Sequence, residues 1–453
     1  MSTAERPRSH VDLGSHRPIP TMSVADTAAL MAEVIVPTLA QGPIIRRPRM
    51  VAAAERVDLV GRAVRRVQRL HDTYGDGPIM LRVPIRKQAV VLAARHVHRV
   101  LEESPVPFGA DSSEKRASLS HFQPKAVLIS SPEERPDRRR FNEEVLETPR
   151  PMHRLSERFA SVIEEEAQVM LARAERKGVL DWDVFSDAWF CMVRRVMLGD
   201  AAREDREFTR LHERLRAYAN LAFLQPKRIG QRDEFFVRLN RYLDAAESDT
   251  LAAVMAATHA TPDTAADHQI PHWLFAIDPA GMTTFRALAL LAAHPEHEVR
   301  ARDEAEARDS EPALPFVRQC LLESLRLWPT TPMILRQSSS ETMWDGRVMP
   351  KDTGILVYSN YFHRDDRHLE YAHRFAPEVW SHERTDDDWP LVPFSRGPVG
   401  CPAQNLVLMI TSTMLAALLR KGHYQERAPR KLYATHPMPS MLDNNTLRFD
   451  VSH

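Results

Sequence analysis

Cysteine is scarce: 453 residues contain three, Cys191, Cys320 and Cys401, with no paired spacing. That excludes a disulfide scaffold and a zinc site, and it fits a reducing compartment. Excess charge of either sign is also missing. Lys+Arg and Asp+Glu both number 61, so no global field exists to recruit nucleic acid or an anionic membrane. Glycine is outnumbered by proline, 15 to 33, which predicts many punctuated helices and few tight hairpins. No long hydrophobic run stands out as a membrane span. The stretch Val34–Ile45 is charge-free, but it covers 12 residues and contains Pro37 and Pro43, where a span needs about 20. Val24–Leu39 reads as a packed amphipathic helix or, alternatively, a weak interfacial one, interrupted by Asp26 and Glu33. The opening MSTAERPRSH lacks the apolar core of a signal peptide. A cytoplasmic protein is the expectation.

What is present is concentrated in Phe394-Ser-Arg-Gly-Pro-Val-Gly-Cys401-Pro-Ala-Gln-Asn405. Gly397 and Gly400 let the backbone bend and approach a ligand closely. Pro402 suits a first helical position. Leu406, Val407, Met409, Ile410, Met414, Leu415, Leu418 and Leu419 follow at helical spacing, and Arg420, Lys421 and Gly422 are stop signals. A helix over about 402–421 results, with Cys401 at its N-terminus, where the dipole favours thiolate over thiol. Such a thiolate is a strong axial ligand for haem iron. Taken alone, Cys401 also reads as a buried, inert cysteine.

The loop resembles the haem-binding signature of the cytochrome P-450 superfamily, particularly its soluble bacterial members: Phe394, Gly397, Cys401 and Ala403 fall on the pattern. The family's basic residue two before the cysteine is Val399 here, which removes one propionate contact.

Several other stretches continue the resemblance. Residues 1–20 are polar and Pro-rich and read as a mobile tail, leaving 21–453 as one haem domain. Val51–His71 and Ala94–Glu103 read as helices, with short strands at Ile79–Val83 and Gln88–Leu92 between them. Phe108–Gln123 is polar and irregular; in the family this region caps the substrate pocket. Ser131 is a candidate N-cap for a helix carrying Arg135, Arg138, Arg139 and Arg140. A charge run is ordinarily a solvated face. Arg135 and Arg139 match the family's spacing for propionate ligands, and the remaining arginines suit a patch that docks an acidic electron donor. Further helices are expected over Arg154–Lys177, Trp182–Leu198, Phe208–Ala222 and Asp233–Thr258.

His272–Ala293 is long and apolar, a core helix disturbed at its centre by Pro279, Gly281 and two hydroxyls. It resembles the family's long central helix, with Ala280, Gly281 and Thr284 on its signature and Thr283 in place of the acid. Thr284 is then the distal-pocket alcohol. A Thr hydroxyl is no proton donor of carboxyl strength, and Asp278 lies more than one turn from Thr284.

In Leu314–Leu327 the charges Glu323 and Arg326 share one face. An isolated pair of this kind on a surface contributes little. Here it resembles the family's buried structural motif. Arg336 downstream corresponds to a propionate ligand. The segment Phe375-Ala-Pro377-Glu378-Val379-Trp380 has Val379 where the family's third partner, an Arg, stands; Arg374 is a candidate replacement. Thr342–Asp352 and Ile355–Tyr358 read as strands, with turns at Asp345-Gly346 and Pro350-Lys-Asp. Leu432–Val451 reads as strand, loop and strand.

The resemblance implies a mainly α fold with small β-sheets, and haem b between the central helix and the Cys401 helix. It implies a haem-thiolate monooxygenase that inserts one oxygen atom from dioxygen into a small or medium apolar substrate, with electrons from a ferredoxin-type partner. Thr283 in the acid position supports an alternative: peroxide-driven oxidation, oxidative coupling or rearrangement. Val399, Val379 and Thr283 together support another, a non-catalytic haem or ligand-binding protein.

Overall fold

A computed structural model describes residues 17–84, 86–307 and 312–452. The fold is mainly helical with small sheets. Its larger core surrounds the central helix Ile270–Ala293, which packs on Trp182–Leu198, Pro315–Leu327 and Gln404–Lys421. A second core lies under a five-stranded sheet. The stretch Ala266–Ala293 is long and apolar enough to cross a bilayer, but most of its apolar window is buried among these neighbours.

Ile79–Met80 and Gln88–Val90 pair antiparallel as the sequence suggests. They extend into a sheet with Gly354–Tyr358, Met333–Ser338 and Phe108–Gly109. The sequence reading missed Met333–Ser338, whose alternate burial shows only once its two neighbours are known. Thr342–Trp344 and Arg347–Met349 form a hairpin. Its turn residues Asp345 and Gly346 have φ of 47° and 76°, the left-handed pair that a two-residue hairpin turn requires.

Left-handed residues also divide two stretches read as single helices. Asp58, at φ 48°, separates Pro48–Arg56 from Leu59–Tyr74. Ala246 and Asp249 separate Ile229–Ala245 from Leu251–Ala257. The irregular stretch 108–123 contains a short helix, Ser113–Leu119. No strand begins at Leu432. There the chain wraps the Glu426 carboxylate, which accepts from the backbone N–H groups of Lys431 and Leu432. The closing sheet instead pairs His423–Glu426 with Arg448–Ser452. Of the tail read over 1–20, residues 1–16 lie outside the described residues; Arg17–Pro18 pairs in parallel with Arg347–Val348.

Candidate functional site

The Cys401 loop is held by its own backbone. The Cys401 N–H donates to the Phe394 carbonyl at 3.0 Å, and the Gly400 N–H to the Gly397 carbonyl at 2.8 Å. Gly397 sits at φ 69°, and a Cβ there would lie 2.4 Å from the Leu101 carbonyl oxygen. Both conformation and space therefore require glycine. The helix begins at Gln404, with Pro402 in the turn before it. Cys401 is only partly exposed. Burial pushes its thiol pKa up, against the lowering effects of the Ala403 N–H and Arg139. A cation bound at Sγ would reverse that balance.

Three cations, the buried Arg135 and Arg336 and the half-buried Lys115, stand together with no ion pair to an acid among the described residues. Arg336 donates to the hydroxyls of Ser104 and Ser395 and to the Leu335 carbonyl, at 2.9, 3.3 and 3.0 Å. Arg135 donates to the Val127 carbonyl at 2.8 Å. Lys115 donates to the carbonyls of Ala110 and Leu335, both at 2.9 Å. Among the described residues none has a carboxylate partner within ion-pairing distance. Burial, then mutual repulsion, lowers the pKa of Arg336 to about 10 and that of Lys115 well below its ordinary value. Arg135, depressed by burial and by Arg139, also falls to about 10. His272 faces Arg135 and Lys115; burial and these charges take it to about 4, and its Nδ1 has no partner. Uncompensated buried cations are costly. The cluster fits a dianionic group such as the two propionates of haem b.

The structure brings Arg135 and Arg336 together, as the sequence suggests. Arg139 is engaged beside them: it pairs with Glu143 and donates to the Gly400 carbonyl, both at 2.6 Å, so it braces the Cys401 loop. Arg138 is tied to Glu134, Ser130 and the Asp263 carbonyl. Lys115 was missed because nothing in its polar stretch distinguishes a buried lysine from a solvated one.

On the central helix, residues bordering open space are His272, Phe275, Ala276, Pro279, Met282 and Arg286, all half-buried. Thr283 is buried at the edge of this face, within about 40° of Pro279 at 100° per residue. Its hydroxyl donates to the Pro279 carbonyl at 2.9 Å. Thr284 points elsewhere, fully buried, with its hydroxyl on the Ala280 carbonyl at 2.9 Å. A Cβ on Gly281 would lie 2.9 Å from the Trp189 indole nitrogen, so Gly281 admits the neighbouring helix. Both threonine side chains of this segment are buried, Thr283 at 3% and Thr284 at 0% exposure, and each hydroxyl is bonded to the helix's own backbone. Asp278 is neutralised by Arg216 at 2.8 Å.

Glu323 and Arg326 are fully buried and paired through two contacts, at 2.8 and 2.6 Å. Arg326 also donates to the carbonyls of His363, Tyr371, Ala372 and Arg374. Arg374 thus contributes a carbonyl, and its guanidinium points to the Glu370 carbonyl.

Comparison with known proteins places this geometry. Residues 227–428 match the family model described as cytochrome P-450. A probable cytochrome P-450 4ac1 of Drosophila melanogaster is 33% identical over 213 residues, 43% of this chain and 40% of that protein. A cyclooctat-9-en-7-ol 5-monooxygenase of Streptomyces melanosporofaciens is 31% identical over 209 residues, 42% of this chain and 45% of that protein. The matches thus span less than half the length of these relatives. The crystal structure of a cytochrome P-450 named CYP102L1 superposes with a TM-score of 0.71 at 17% identity, over 96% of this chain and 99% of that one.

Proposed function

Because the chain belongs to the cytochrome P-450 superfamily, we propose that it is a haem-thiolate monooxygenase acting on a small or medium organic molecule. One atom of dioxygen goes into a substrate C–H bond. The other leaves as water, with two protons and two electrons from a ferredoxin-type donor. The name of the Streptomyces relative supports this class of reaction. A cytoplasmic location accompanies this reading.

The observation that carries it is the pairing of a glycine-built loop, which presents one thiol, with a cluster of three cations that have no ion-pair partner among the described residues. Cys401 would ligate iron through Sγ. Arg336, Arg135 and Lys115 would hold the propionates, and Arg139 steadies the Gly400 carbonyl beside the ligand. Phe394 holds the loop by accepting the Cys401 N–H. Haem supplies the oxygen-activating redox chemistry. Thr283, at the edge of the bordering face, and its neighbour Thr284 are the hydroxyls that would hold water and pass a proton. Apolar walls on that face exclude bulk water from the reacting carbon.

The test is the absorption spectrum of the reduced, carbon-monoxide-saturated protein beside a Cys401→Ala variant. A strongly red-shifted Soret band, absent in the variant, is expected. Haem-free but folded wild-type protein would overturn the reading.

A second reading, oxidation driven by peroxide, is favoured by one observation. Thr283 stands where a carboxylic acid is needed, and Asp278 is tied to Arg216. Turnover with peroxide alone exceeding turnover with dioxygen and electron donors would decide for it.

A further inference from the structure

Beside the Thr283 face lies a cavity of about 320 Å³. It is bounded by the central helix at Asp278, Met282 and Arg286, and by the turn after Trp328. Its walls mix apolar side chains, among them Trp182, Phe190, Met282 and Leu442, with polar ones, and two guanidinium groups, Arg46 and Arg286, line it. Arg46 donates only to backbone, to the Gly42 and Thr330 carbonyls at 3.2 and 2.8 Å. Arg286 has two long contacts, 3.5 Å to the Trp328 carbonyl and 3.4 Å to the Asn444 side-chain oxygen, and its Nε has no partner. Among the described residues, neither arginine has a carboxylate within ion-pairing distance.

The nearby acids are engaged elsewhere. Asp278 pairs with Arg216 at 2.8 Å. Glu55 accepts both contacts from Lys431, at 2.7 Å. Asp443 accepts from the backbone and side chain of Asn445. Glu213 also lines the cavity, and burial raises its pKa, against the lowering effect of Arg216. Burial lowers the pKa of both arginines, and each repulsion from Arg46 lowers that of Arg286 further, to about 10. Two desolvated guanidiniums with spare donors are stabilised by an anion that brings its own lone pairs.

We infer that this cavity binds the carboxylate of an apolar organic acid, held between Arg46 and Arg286, with its hydrocarbon part directed along Met282 toward Thr283. A monoanion suits it better than a phosphate dianion, because the Asp278 carboxylate shares the lining. The inference rests on the monooxygenase reading for what happens to the molecule afterwards, but not for its binding.

Isothermal calorimetry on the full chain as purified tests it with two matched pairs: decanoate and methyl decanoate, 2-naphthylacetate and its methyl ester. In each pair the acid should bind at least about tenfold more tightly than the ester, as hydrogen bonds to charged groups allow. The ratio should fall toward one in Arg286→Gln and in Arg46→Gln. Ester binding should persist, which reports that the variants remain folded. Equal affinity of acid and ester for the wild-type protein in both pairs would overturn the proposal. So would selectivity that survives both substitutions. The red-shifted spectrum is a separate measurement, so failure of the haem reading leaves the calorimetric ratio to speak for itself.

Discussion

The Trp380 indole N–H donates to the Glu323 carboxylate at 3.0 Å. With the Ala376 backbone N–H, also at 3.0 Å, it completes the coordination that begins with Arg326. A residue one place after Val379 thus supplies the donor that an arginine at 379 would have supplied. The donor is neutral, so the pair keeps one cation and one anion. Trp380→Phe removes a hydrogen bond to a buried charge and should lower unfolding stability by roughly 1.5–3 kcal/mol. Arg374→Ala, which loses an exposed side chain and keeps the carbonyl that Arg326 uses, should stay within about 0.5 kcal/mol. Urea unfolding of the two variants distinguishes them. Equal effects would show that Trp380 does not carry the third partner's role.

Thr283 and Thr284 differ by about 100° around one helix, and that difference separates their predicted phenotypes. Thr283→Val should raise the electrons consumed per product formed several-fold, because it removes the hydroxyl at the edge of the bordering face. Thr284→Val is nearly isosteric and buried on another side. It should leave that ratio within about twofold and cost about 1 kcal/mol of stability, for a lost internal hydrogen bond. Measuring product against electron-donor oxidation checks both. The reverse pattern would show Thr284 to be the working alcohol.

This register shows what the sequence could disclose. The Cys401 loop and the Glu323–Arg326 pair were legible because close spacing fixes their local geometry: a glycine that must be left-handed, and two charges one turn apart. The central helix was legible as a helix. Which side of it meets open space was not, since a motif that tolerates a one-residue shift does not encode the angle at which the helix meets its neighbours. That angle is set by Trp189 against Gly281. Lys115 and Trp380 were illegible for a related reason: their roles depend on partners more than 50 residues away, Leu335 and Glu323.

The cation cluster, without ion-pair partners among the described residues, predicts two opposite effects from one substitution. Arg336→Leu should stabilise the haem-free protein, because mutual repulsion within the buried cluster is relieved. The same change should speed loss of haem to an acceptor globin by about tenfold to a hundredfold, the value of a charge-assisted contact. Lys115→Met should behave alike. Arg138→Met, whose partner is Glu134, should destabilise the haem-free protein instead. Thermal melting of the haem-free forms, set against haem-transfer rates, reads both signs. A haem-free Arg336→Leu protein less stable than wild type would mean that the cluster is neutralised in a way the contacts do not show.

His363 links the Arg326 network to acid sensitivity. Its carbonyl accepts from Arg326 at 2.8 Å, its Nε2 accepts from the Val392 N–H at 2.9 Å, and its Nδ1 has no partner. Burial, then the Arg326 charge, brings its pKa to about 3, so the folded protein keeps it neutral. The unfolded chain takes up the proton near pH 6.5. Between those values the unfolded state binds more protons, so stability rises with pH across that window and is lost as pH falls through it. His272, at about 4, acts in the same direction, whereas Asp365, held to about 2 by Arg367, Gln68 and His368 against the effect of burial, loses its contribution only below about pH 4. The interval from pH 6.5 to 5 therefore lies above the window of Asp365, and the difference between wild type and a His363 variant within it reports His363. His363→Gln keeps an acceptor for the Val392 N–H and cannot titrate. In that interval its unfolding free energy should depend on pH less steeply than the wild type's, by as much as about 1.4 kcal/mol per pH unit. Urea midpoints at pH 6.5, 5.8 and 5.0 measure the slope, and parallel slopes would show that His363 takes up its proton without unfolding the protein.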